Sequence, residues 1–134
     1  PIEFNMDELN ENSTVKSVVG KLVNREAQME CSGKTTVLGV TVSFKVIVEI
    51  PYTTYEEGSN RYIYSIDDDN IVSYLKSNNS LCDYEQGYIY SKISKDEKSA
   101  KILGYGTAYT SIAGVAYTST TLDLSTTLYP TSGK

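Results

Sequence analysis

The chain has 134 residues, with 12 Lys and Arg against 17 Asp and Glu, no histidine and no tryptophan, for a formal net charge of -5. Such a length supports one hydrophobic core, and the acidic balance provides no basic footprint for a nucleic-acid backbone. The most apolar stretch, 37–50, is broken by Thr41, Ser43, Lys45 and Glu49, well short of the roughly 20 apolar residues of a membrane-spanning helix.

Pro1 to Phe4 read as a cloning scar, and residues 1–12 as a flexible acidic lead-in to a single domain over 13–130, followed by a disordered tail over 131–134. Val15, Val18, Val19, Leu22 and Val23 fit a helical stripe, but four of the five are β-branched and Gly20 interrupts them. Helix and strand thus both remain open there, with strands favoured over 15–23 and 27–31.

From Leu38 to Ile50 the even positions Leu38, Val40, Val42, Phe44, Val46, Val48 and Ile50 form an apolar row with a period of two. This predicts a long core strand over Thr36–Ile50, bent or bulged near Gly39 and ended by Pro51. Arg61–Ile66 and Gly87–Ile93, rich in Tyr and Ile, predict two more strands. Between them an Asp-rich start and apolar residues at i, i+3 and i+4 predict one short helix near residues 69–77, with Asn78-Asn79-Ser80 as a loop.

Lys95 to Lys98 read as a polar turn. The Thr-, Tyr- and Ala-rich segments 100–111 and 116–129 then predict a hairpin through Ile112-Ala113-Gly114-Val115. Thr36 to Val40 faintly echoes Ser111 to Val115, too few positions for a repeat. About seven strands with turn signals between them indicate an all-β class, an antiparallel β-sandwich.

Two cysteines without histidine are too few for a typical zinc site. A Cys31–Cys82 disulfide is expected, closing a loop worth about 4 kcal/mol in the chain-entropy model; two buried free thiols are the alternative.

Without histidine the commonest general base and the centre of a Ser-His-Asp triad are missing, so a non-catalytic protein is expected. A carboxylate-dependent, glycan-acting enzyme drawing on Glu49, Glu56, Glu57, Asp83, Glu85 or Asp123 is the enzymatic alternative. Gly104-Tyr105-Gly106 lies in a predicted strand with no helix after it, unlike a phosphate-binding loop. Asp67, Asp68 and Asp69 with Asn70 group oxygen ligands, but lack EF-hand spacing. They are read first as acids at a helix start, and second as a Ca²⁺ site, the one cofactor under consideration.

Tyrosine dominates the aromatics, 12 against two Phe. Tyr62 and Tyr64 share one strand face, as do Tyr88 and Tyr90. Pairing of their strands would gather four rings into a rigid contact surface for a protein or glycan partner. The Ser/Thr alternation over 117–129 suggests a second reading, a pore-forming or self-assembling fibre or surface-layer subunit that touches membrane surfaces or other copies of itself. Asn12-Ser13-Thr14 and Asn78-Asn79-Ser80 match glycosylation acceptors for a eukaryotic secretory source. The expectation is therefore a secreted or cell-surface β-sandwich that binds a protein or carbohydrate.

Overall fold

Alternation of β-branched or aromatic residues with polar ones runs through most of the chain, and the computed structural model, which describes residues 20–76, 81–112 and 116–134, is strand almost throughout. The elements are β1 (Gly20–Val37), β2 (Val40–Glu57), β3 (Asn60–Ile66), a 3₁₀ turn (Asp68–Asn70), β4 (Val72–Leu75), β5 (Cys82–Ile93), β6 (Ala100–Ile112), β7 (Ala116–Asp123) and β8 (Thr126–Leu128). They form two antiparallel sheets, β1–β4 (sheet A) and β5–β8 (sheet B). The expected all-β sandwich is the fold.

The two sheets repeat one plan. A long central strand has a long neighbour on one side and a broken row on the other: β1, β2, then β3 with β4; and β5, β6, then β7 with β8. In sheet A the break has a covalent cause. β3 pairs with Tyr52–Glu57 and β4 with Val46–Glu49, and between them lies Pro51, which has no N–H to give. Its carbonyl accepts the Asp67 N–H at 3.0 Å, and there the row leaves the edge as the 3₁₀ turn before returning as β4.

Pro51 was expected to end its strand, yet β2 runs on to Glu57. Opposite it in β1 stands Glu26, whose N–H and C=O point away from β2 to the backbone of Lys134, at 3.1 and 3.2 Å. The missing donor therefore costs the β1–β2 ladder nothing.

Three further expectations are corrected. The apolar row over Thr36–Ile50 contains a hairpin: Leu38 (φ 50°) and Gly39 (φ 76°) make a two-residue turn between the paired Val37 and Val40, and positive φ at both positions suits the twist of the flanking strands. The helix near 69–77 is absent over its described part, because Val72–Leu75 satisfies its backbone against Val46–Glu49, which an isolated two-turn helix could not match. The tail over 131–134 is not free: besides the Lys134 bridge, Gly133 donates its N–H to the Tyr52 hydroxyl at 2.7 Å.

Within the N-terminal region, 20–23 and 27–31 belong to one continuous strand, β1. The lead-in, residues 15–19, both glycosylation motifs and Ala113 to Val115 lie outside the described residues, wholly or in part.

The sandwich core packs large against small. Val42, Phe44, Val46, Val48, Ile50, Tyr52 and Thr54 of β2 are buried. The inward row of β6 is Ala100, Ile102, Gly104, Gly106, Ala108 and Thr110, and a Cβ at Gly104 would sit 2.7 Å from Ile89 Cγ1. Small residues here leave room on the core face for the Ile89 and Tyr84 side chains of the neighbouring strand β5, which a Cβ at Gly104 or Gly106 would strike. Leu122, Leu124 and Leu128 complete the cluster.

One side of the sandwich is stitched shut by side chains and by one backbone hydrogen bond. The Gln86 amide accepts the Ser73 N–H at 2.6 Å and donates to the Ile71 carbonyl at 3.1 Å, occupying the free edge of β4 as another strand would. The Asp68 carboxylate receives the Ser91 hydroxyl, and the Ile63 N–H reaches the Glu97 carbonyl at 2.7 Å.

Candidate functional site: a tyrosine-lined sheet face

Because the inward row of β6 is small, its bulk lies on the other parity: Lys101, Leu103, Tyr105, Thr107 and Tyr109 face out. Cross-strand partners share a face. On this face Tyr90 stands beside Leu103, Tyr109 lies between Asp83 and Ser119, Thr107 between Glu85 and Thr121, and Tyr105 beside Asp123. Tyr117, opposite Ser111, adds another ring, and Tyr88 enters at a bulge in β5 between Gln86 and Ile89.

Five tyrosines thus occupy the outer face of sheet B, with Tyr88, Tyr90, Tyr105 and Tyr117 exposed by 65%, 41%, 47% and 69%. They interact in pairs. The Tyr88 and Tyr90 rings are 5.2 Å apart and tilted at 57°, and those of Tyr109 and Tyr117 are 6.3 Å apart and nearly stacked. Tyr105 lies over Gly87, where a Cβ would strike its ring and stand 2.7 Å from its carbonyl, so glycine at the bulge lets this ring lie flat across β5.

The Tyr109 hydroxyl donates to Glu85 at 3.1 Å, and that bond holds its pKa above the usual phenol value. Asp83, Glu85 and Asp123 give the face a negative cast, while Lys92 opposite Lys101 closes one end with positive charge.

The four tyrosines singled out from sequence do not meet. β3 pairs with β2 and β5 with β6, so Tyr62 and Tyr64 belong to sheet A while Tyr88 and Tyr90 belong to sheet B. Tyr62 packs 6.5 Å from Tyr55 beneath the Lys98 ammonium, and Tyr64 is exposed beside the bulge in β3. Tyr105, Tyr109 and Tyr117 were not singled out, although two of them recur at the odd positions of one strand.

The other candidates are dispersed. Asp67 accepts from the Asn70 amide at 2.8 Å, Asp68 is engaged by Ser91, and no group of three potential metal ligands comes together among the described residues. Glu56 is clasped by Arg25 and then Arg61, which hold its carboxyl below the ordinary range. Asp123 is lowered too, by the Ser125 hydroxyl and N–H. A glycosidase acid needs the opposite shift. Glu49 accepts from Tyr74 at 2.6 Å and from Gln28 at 3.2 Å.

Cys31 and Cys82, expected to pair, are free thiols on β1 and β5 of opposite sheets. Burial raises both pKa values, with Asp123 adding to the effect at Cys31, so both are poor nucleophiles. No family model matches the chain, nor does any curated protein or solved structure.

Proposed function

We propose that this domain is a non-catalytic binding module, secreted or displayed at a cell surface, which recognises a carbohydrate or protein partner through the outer face of sheet B. The observation that carries this reading is the clustering of Tyr88, Tyr90, Tyr105, Tyr109 and Tyr117 on one open face, four of them exposed. Tyrosine offers a large, stiff contact area at small entropic cost and a hydroxyl at the rim. Thr107, Ser119 and Thr121 lie between the rings and suit the hydroxyl-rich edges of a sugar chain, so carbohydrate is the first class to test.

The experiment is a glycan array and affinity electrophoresis through polysaccharide gels, with wild type against a Tyr105→Ala/Tyr117→Ala double variant. A retained glycan, weakened at least tenfold in the variant while its melting temperature holds, is the expected result. Binding that ignores the two substitutions would sink the proposal.

A second reading, self-assembly, is favoured by the outer edge of β1. Over 18 residues, Glu26 is the one position whose outward backbone groups find a partner among the described residues, and an open edge of that length is a template for another strand. Light scattering across a concentration series separates the readings, since a monomer at every concentration leaves recognition alone.

A further inference from the structure

The outer face of sheet A, on the far side of the sandwich from the tyrosines, carries a concentration of positive charge that the recognition reading does not use. Ser32 pairs with Lys45 and Lys34 with Ser43 across β1 and β2. Lys76, just beyond β4, donates its N–H to the Lys45 carbonyl at 2.8 Å. That bond continues the register of Leu75 with Val46 and sets the two lysines opposite each other. Like charges directly opposed on a sheet destabilise it.

One carboxylate serves both. Glu30 lies 2.9 Å from the Lys76 ammonium and 3.4 Å from that of Lys45, and these cations, Lys76 foremost, hold its pKa below the ordinary value. Lys34 has no ion-pair partner among the described residues, so two cations share Glu30 and the third is unpaired. Both bridged ammonium groups keep more than half of their side-chain surface in solvent. The three lysines and the two serines line a cavity of about 620 Å³ together with Gly33 and Phe44. In a chain of net charge -5, this is a local excess of positive charge in a concave setting, with two serines in its lining.

We propose that Lys34, Lys45 and Lys76, with the Ser32 and Ser43 hydroxyls, bind a tetrahedral oxyanion, a phosphate or sulfate group, at the outer face of sheet A. Ammonium groups supply compact point charges and the serines supply O–H donors, the set that grips such an anion. Glu30 then acts as a resident competitor that keeps the lysines gathered until the ligand displaces it. This site stands apart from the tyrosine face, and neither depends on the other.

The test is amide NMR of the whole chain, titrated with inorganic phosphate and, separately, inorganic sulfate, against chloride at matched ionic strength. Saturable shifts at residues 32–34, 43–45 and 76 with both oxyanions and not with chloride are expected. A Lys45→Gln/Lys76→Gln variant should bind at least tenfold more weakly. Glu30→Gln should bind several-fold more tightly, a gain that a merely structural Glu30 would not produce.

Flotation with phosphatidylcholine vesicles, with and without phosphatidylserine, separates the sources. Lysine-dependent capture on the anionic vesicles identifies a lipid headgroup, and capture on neither leaves a soluble phosphate or sulfate ester. Equal shifts with chloride, or affinity unmoved in both variants, would overturn the proposal.

Discussion

The central strand of sheet A turns its largest side chains inward and the central strand of sheet B turns its largest outward, although the two sheets share a strand plan. The central strand β2 buries Val42, Phe44, Val46, Val48, Ile50 and Tyr52, while β6 buries alanines, glycines and a threonine around the lone Ile102. The outer faces differ too: sheet A carries lysines and glutamates with Tyr64 and Tyr74 among them, and sheet B a row of rings. Sheet B fills the core from beside its central strand, with Tyr84, Ile89 and Ile93 of β5 and Leu122 and Leu128 of β7 and β8. Tyr84 of β5 turns into this core and meets the Ser73 hydroxyl, whereas Tyr88, Tyr90, Tyr105, Tyr109 and Tyr117 lie on the other face, outside the core cluster, which supports the proposed recognition role.

The contrast breaks most readily at its centre. Ile50→Ala opens a cavity beneath β2, and a loss of about 2–5 kcal/mol is expected in urea unfolding. The converse change, Ala108→Leu, overfills the small row of β6 and should cost about 1–3 kcal/mol. If Ala108→Leu proves neutral, the inward row of β6 is not close-packed.

Acid should weaken both sheets, since Asp123 of β7 and Asp96 of the β5–β6 turn are held below their ordinary values as well. Glu30 and Glu56 have folded pKa values below the ordinary 4.5, so their favourable contribution is present above that value and is lost as pH falls through the lowered folded values. Thermal melts between about pH 3 and 7 should show this decline, and it should be shallower in Arg25→Ala, which lacks the principal partner of Glu56.

Smaller effects sharpen the comparison. Leu38 holds φ at 50° in the β1–β2 turn and is exposed. Asn tolerates that conformation better, so Leu38→Asn should raise stability by up to about 1 kcal/mol. Least of all, Tyr105→Ala, alone or with Tyr117→Ala, should move stability by no more than about 0.5 kcal/mol per site. A larger loss would return these rings to a structural role.

Much of this arrangement is written in local alternation. The row from Val42 to Ile50 reads as a buried strand face and is one; Ala100 to Ser111 reads as a strand and lies within β6, which runs one residue further to Ile112. Leu38 and Val40 obey the same parity but stand exposed, because Leu38-Gly39 is a turn and the strand partner lies before it in the chain instead of after. At 71–76, i, i+3 and i+4 spacing matched a helix, but the free edge of β2 claimed the segment. Tyr88 and Tyr90 were read as a contact surface and lie on the candidate face; Tyr62 and Tyr64 were read as their companions and belong to the other sheet.

What the sequence determined by itself was the class of structure, since a period of two and β-branched residues are properties of neighbours along the chain. Which strands share a sheet, why the edge row breaks opposite Pro51, and which tyrosines gather on one face were decided by the tertiary structure. Those outcomes depend on hydrogen-bonded partners dozens of residues apart and on how two sheets divide large and small side chains between them, and no local spacing carries that information.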